Sequence, residues 1–138
     1  MKVLSAVLCL SLVSMLNISE AKPKAASKQK ETSLGQLYAK FADSDYSSLS
    51  MPELNQRVAI TGVVLGHTSS IVGGHSILSA GDEQAPDEEL ARLGTRDPSE
   101  DKKMNALAEG ARFSAVCVLD MTSGSGGGYM SFSDCVFK

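Results

Sequence analysis

The sequence predicts a small β barrel with helical additions, an α+β domain, and three observations predict it. The run "RVAITGVVLGH", Arg57 to His67, is dominated by β-branched residues and carries Gly62 at its middle, where a strand coiling around a small closed barrel needs a bulge or sharp bend. The closing stretch "SAVCVLDMTSGSGGGYMSFSDCVFK" alternates apolar with small or polar residues on both sides of a glycine tract, as a hairpin does. Between these lie segments with proline near their starts and glycine at their ends, which read as helices.

At 138 residues the chain has room for one domain with one core, and that domain is expected to span residues 33–138. Residues 1–21, "MKVLSAVLCLSLVSMLNISEA", place Lys2 before an apolar run from Val3 to Leu16, followed by the small residues Ser19 and Ala21. The order basic, apolar, small is that of a secretory signal peptide, and the run is too short to span a bilayer. Cys9 follows "AVL", which lacks the small residue a lipid-attachment signal wants before its cysteine, so a lipoprotein is the weaker option. Residues 22–32, "KPKAASKQKET", carry four lysines and no large apolar residue, the composition of a flexible, solvated linker. The protein is therefore expected to be exported, to a periplasm or as a secreted chain, with no membrane span.

Within the domain, Leu34, Leu37, Tyr38 and Phe41 recur at helical spacing behind Ser33, a ready cap. A second short helical piece is expected at "SMPEL", where Ser50 precedes Pro52 and Glu53, with Tyr46 and Leu49 joining the core. The first strand follows, and "HSILSAG" reads as the second, joined to it by "TSSIVGG". Beyond Gly81, "PDEELARLG" and "DPSEDKKMNALAEG" both read as helices. Pro86 and Pro98 suit first-turn positions, Asp97 with Glu100 makes a capping-box pattern, and Gly94 and Gly110 are natural terminators. Leu90, Leu93, Met104 and Leu107 are their expected buried contacts, and Asp87, Glu88 and Glu89 would meet the first helix's dipole.

Removing the signal leaves two cysteines, Cys117 and Cys135, and an even count in an exported chain predicts a disulfide. The competing reading is two buried free thiols. An antiparallel hairpin of strands 113–122 and 129–137 that sets 117 against 135 also sets Leu119 against Ser133 and Met121 against Ser131. Its turn then falls on Gly124 to Gly128, the segment free to reverse the chain.

The order helix, strand, strand, helical insertion, strand, strand resembles the tRNA_anti-like family of OB-fold proteins, whose exported members carry a leading helix. The resemblance runs from Leu37 to Phe137: "LYAKF" for the helix, "NQRVAITGVV" and "ILSAGDE" for the first two strands, "ALAEGARFSAVCV" for the helix end and fourth strand, and "GGYMSFSDCVFK" for the last. Family members often carry a cysteine in the fourth strand and an Asp-Cys pair near the terminus, matched here by Cys117 and by Asp134 with Cys135. The resemblance implies a small Greek-key barrel. The passage from "SAGDEQ" into helix-like sequence departs from it, so the third strand is expected to be very short or missing.

The resemblance also invites a nucleic-acid reading, against which the composition argues. Residues 33–138 hold 14 acidic and 8 basic side chains, a net charge of −6, whereas affinity for phosphate backbones comes from clustered lysine and arginine. The chain has no tryptophan, and its aromatics do not alternate with basic residues as a stacking platform would require. For catalysis or a metal site, His67 and His75 flank the loop between the first two strands with Asp82 beyond, but the spacing is unspecific, and Ser69, Ser70 and Ser76 lack a nucleophile-elbow context. No catalytic, cofactor or metal residue is assigned, and the protein is not expected to be an enzyme. A binding or interaction module for a protein partner or small polar ligand is expected instead, with single-stranded nucleic acid the alternative. In an OB-fold the first inter-strand loop and the last hairpin loop border the binding face, which makes His67, Ser69, Ser70, His75 and Tyr129 the candidate ligand-loop residues.

Overall fold

A computed structural model describes residues 29–122 and 128–138; the expected signal peptide, linker residues 22–28 and turn residues 124–127 lie outside them. Ser33 caps helix α1, Leu34–Asp43, its hydroxyl accepting the amide of Gln36 at 3.2 Å, and the predicted stripe turns Leu34, Leu37 and Phe41 into the core. Just before it, β1 (Thr32–Ser33) lies parallel to Ile60 and Thr61.

The chain leaves α1 through two consecutive left-handed residues, Asp45 and Tyr46. Tyr46, expected in the core, stays 43% exposed and rests edge-on against Phe41, with ring centroids 5.8 Å apart. The short helical piece is a single 3-10 turn at Ser48–Ser50, capped by Ser47 and ending before Pro52 instead of starting there. Its inward position belongs to Ser48, which is fully buried and donates its hydroxyl to the Asp120 carbonyl at 2.9 Å while accepting the Thr122 amide at 2.7 Å. Leu49 is thereby turned out to solvent, against expectation.

Strand β2, Arg57–Ser69, is long enough to serve two neighbours. Its first half pairs antiparallel with β5 (Arg112–Leu119) and its second half with β3 (Ser76–Gly81). The register irregularity falls between Val64 and Gly66 and not at Gly62, whose pairing with Phe113 is regular. Gly62 serves close approach instead: a Cβ there would lie 2.7 Å from Leu34 Cδ1 and 2.8 Å from the Gly81 carbonyl oxygen.

The segment read as the helix "PDEELARLG" is not helical. It holds β4, Ala91–Leu93, antiparallel to β3 and parallel to β6 (Met130–Phe137). The third strand, expected to be very short or missing, is thus present as three residues, and Leu90 and Leu93 are buried as strand-side contacts. Leucines three apart mimic a helical stripe, but Leu90 N–H donates to Ala80 and its carbonyl accepts Met130 N–H, so sheet partners claim the backbone groups a helix would need. With no helix there, Asp87, Glu88 and Glu89 meet no macrodipole. The second predicted helix forms as α2, Pro98–Asn105, with Pro98 in the first turn and Asp97 accepting the Ser99 amide at 2.8 Å, but it ends well short of Gly110 and leaves Leu107 partly buried beyond it. Glu100 does not complete the capping box; it reaches β6 and accepts the Phe137 amide at 2.7 Å.

The strands close in the order β2-β3-β4-β6-β5 and back to β2, a five-stranded Greek-key barrel of the OB type, with β1 added at the edge, α1 packed on β1 and β2, and α2 on β3 and β6. Cys117 and Cys135 form a disulfide, with Cα atoms 4.1 Å apart. The predicted hairpin register holds at Val116 with Val136 but slips by one residue beyond, so Leu119 faces Phe132, not Ser133. The extra residue is Asp134, left-handed at φ 48°. This bulge inverts the alternation: Met130, Phe132, Cys135 and Phe137 point inward, while Ser131 and Ser133 are left on the less buried side. No helix among the described residues is long and apolar enough to cross a membrane.

Candidate binding face

Alternation along β3, β4 and β6 buries Leu78, Ala80, Ala91 and Leu93 and leaves Ile77, Ser79, Arg92, Ser131 and Ser133 less buried, forming the outer surface that OB-folds use most often. Arg92, the middle residue of β4, organises it. The guanidinium grips Glu89 through Nε to Oε1 at 2.9 Å and Nη2 to Oε2 at 3.2 Å, a two-point pairing that fixes its plane. Its Nη1 donates to the Tyr129 hydroxyl at 3.2 Å, and its central carbon lies 4.1 Å from that ring's centroid, within cation–π range. Ser79 donates to the same Glu89 carboxylate at 2.7 Å. The bond from Arg92, opposed by burial and aided by Ser79, holds the Glu89 carboxyl below its usual range, and Glu89 in turn raises Arg92, so the pair is charged at neutral pH.

Two hollows adjoin this cluster. One of about 220 Å³ is lined by Ile77, Arg92, Gly94, Tyr129 and Ser131 among others. Its neighbour, about 470 Å³, shares Ile77 and Gly94 and continues past Ser70, His75 and Ser133 to Arg96 and Asp134, which form an ion pair at 3.4 Å. At the rim, Ile71 and Val72 stand almost fully exposed on the first inter-strand loop.

The structure separates the candidate residues. Tyr129 lies under Arg92, and Ser70 and His75 line the larger hollow. Ser69 is the last residue of β2, paired with Ser76. His67 points elsewhere: its Nε2 lies 3.0 Å from the Met104 carbonyl and ties β2 to α2. Asp82 joins neither histidine; it accepts the amides of Gly35 at 2.9 Å and Gln84 at 3.1 Å, bracing the first turn of α1. Among the described residues no three His, Cys, Asp or Glu side chains gather as a metal site would need. Sequence reasoning missed Arg92, Glu89, Ser79 and Arg96, three of which lie in or beside the segment read as helix. The available signal was the apolar, polar, apolar alternation of Ala91, Arg92 and Leu93 ahead of Gly94.

No protein-family model matches the chain, and no curated protein matches it in sequence. Among solved structures it is similar to a "putative nucleic acid-binding lipoprotein" from Klebsiella pneumoniae, with a TM-score of 0.61, 18% identity, and coverage of 80% of this chain and 92% of that one. That likeness establishes the shared OB-type fold. A "putative aspartyl-tRNA synthetase" from Leishmania major matches with a TM-score of 0.48 and 10% identity over 84% of this chain, which spans 21% of that longer protein.

Proposed function

We propose that the protein is an exported, non-enzymatic OB-fold binding module that holds a protein partner or small polar ligand on the outer face of β3, β4 and β6. The observation that carries this reading is charge compensation. Arg92 is paired with Glu89 and Arg96 with Asp134, so the face offers hydroxyls, an aromatic ring and a fixed hydrogen-bonding fork without the surplus positive charge a phosphate chain requires. Ile71 and Val72 at the rim add an apolar anchor of the kind protein partners bury. Export is supported by the signal-like N-terminal order and by the disulfide, a bond that persists in oxidising compartments. The finer placement in the tRNA_anti-like family rests on the order of the sequence motifs within this fold.

A second reading, single-stranded nucleic acid, is favoured by the Arg92–Tyr129 stack on this face and by the name of the Klebsiella protein. One ring face of Tyr129 is already covered by the guanidinium, which leaves less of it for a base. The two readings separate by a fluorescence titration with a 12-nucleotide oligonucleotide between 50 and 200 mM salt, run beside affinity capture from the envelope and secreted fractions. The proposed function predicts negligible oligonucleotide binding at 50 mM salt and a partner retained by the wild type but lost by Arg92→Ala. Submicromolar oligonucleotide binding with a steep salt slope would replace it with the nucleic-acid reading.

A further inference from the structure

A further cleft lies elsewhere, between α2, the start of β5 and the end of β6. It encloses about 670 Å³, within the range of small-molecule sites, and it shares no lining residue with the hollows of the β3–β4–β6 face. Its lining is two-natured. Phe113 and Phe137, ring centroids 6.1 Å apart and tilted by 60°, line it with Leu107 as an apolar floor, and Ala106 stands exposed on its wall. Around them stand three cations: Lys103 of α2, Arg112 of β5, and Lys138 just past β6.

One carboxylate, Glu83, lines the cleft with these three cations. Glu83 meets Arg112 Nε at 2.7 Å, with both side chains more than half exposed. Lys103 pairs with Glu100 at 2.7 Å and Lys138 with Glu31, but neither of those acids belongs to the lining. All three cations are thus held in ion pairs, and Arg112 is the one whose partner acid also lines the cleft.

We infer that this cleft binds a small amphiphile with an apolar body and a single anionic head. The body lies on the Phe113–Phe137 floor, where apolar surface leaves water, and the head reaches the cations at the mouth, displacing Glu83 from Arg112. A neutral hydrocarbon would leave the rim unused, and a polyanion would leave the floor unused. Because the lining is separate from the β3–β4–β6 face, this inference and the proposed function stand or fall independently.

The test uses decanoate as the probe, titrated into the disulfide-intact protein by calorimetry at low ionic strength, beside decan-1-ol and decyltrimethylammonium. Decanoate is expected to bind best and the cationic analogue worst. Arg112→Gln should weaken decanoate roughly fivefold, the scale of one exposed charge contact, and Glu83→Gln should strengthen it by removing the competing carboxylate. Ala106→Trp, at an exposed position on the cleft wall, should abolish binding while circular dichroism reports an unchanged fold. Equal binding of decanoate and decan-1-ol, or decanoate binding that ignores both Arg112→Gln and Ala106→Trp, would overturn the inference, as would no decanoate binding at millimolar concentration.

Discussion

Two adjoining stretches of the barrel wall are held by different means. The β5–β6 hairpin is long, alternating and covalently fastened by Cys117 and Cys135. Beside it, β4 contributes three residues to each neighbour, β3 and β6, and is held by fit: Gly81, which admits a crossing backbone, and Arg92 locked to Glu89. A wall built partly from so short a strand needs the rest of its circumference fixed, since ladder hydrogen bonds over three residues do little by themselves. The largest effect should therefore come from cutting the staple. Replacing both cysteines, Cys117→Ala with Cys135→Ala, opens a sequence separation of 18 and is expected to cost about 3 kcal/mol. Urea unfolding of the double variant measures it. A loss under about 1 kcal/mol would show that the hairpin holds its place without the covalent bond.

The weaker side should yield to a single methyl group. A Cβ on Gly81 would lie 2.8 Å from the Glu88 carbonyl oxygen, a backbone atom with little room to give. Gly81→Ala is expected to cost about 2 kcal/mol, the scale of an overpacked core. The strain should appear locally, as faster amide exchange at Leu90, whose N–H bonds to Ala80, with Val116 in the stapled hairpin much less affected. Gly66→Ala is the control, because its nearest foreign atom would be a side-chain oxygen of Glu109 at 3.5 Å. Equal exchange changes at both sites would erase the contrast between the two regions.

That contrast also explains what was legible in the sequence. Long elements with repeated signals were readable: the stripe of α1, the β-branched run of β2, the cap and proline of α2, and the cysteines flanking a glycine turn. Three residues carry no periodicity, and Leu90 and Leu93 at helical spacing pointed to the wrong element. Arg92 and Glu89 were hidden with it, since their role follows from β4 being a strand. The hairpin's pairing was readable only up to Asp134. Nothing local marks that residue as left-handed, yet its bulge decides that Phe132 and not Ser133 enters the core. Tyr46 and Leu49 were misplaced because burial there is settled by a distant partner, the Asp120–Thr122 backbone that Ser48 satisfies.

The stapled side has one acid-sensitive contact. Glu100 accepts from Lys103 and from the Phe137 amide, which together hold its carboxyl below the ordinary carboxylate range. A carboxyl depressed in the folded state stabilises the fold above its unfolded pKa and loses that contribution as pH falls through its folded value. Stability should therefore drop on acidification below the usual carboxylate range. Glu100→Gln should lower stability at pH 7 and flatten this acid limb, as read from unfolding midpoints between pH 7 and pH 3. An unchanged limb in the variant would assign the acid sensitivity elsewhere, to Glu89, held low by Arg92, or to Asp97, held low by its bonds to Ser99.

The smallest effects should distinguish the two arginines of the β3–β4–β6 face. Both are in ion pairs, but Arg92 engages Glu89 at two points, lies on Tyr129 and has a side chain 39% exposed, while Arg96 meets Asp134 at 3.4 Å from a side chain 84% exposed. An exposed single contact is screened and contributes little, whereas a planar two-point pairing with an aromatic beneath it retains more. Arg92→Ala is expected to cost about 1 kcal/mol and Arg96→Ala less than about 0.5 kcal/mol. A double-mutant cycle pairing Arg92→Ala with Glu89→Ala should recover most of the Arg92 cost as coupling. If Arg96 proved the costlier loss, the three-residue strand would be anchored through the Asp134 bulge, and the fit at Arg92 would serve the ligand face alone.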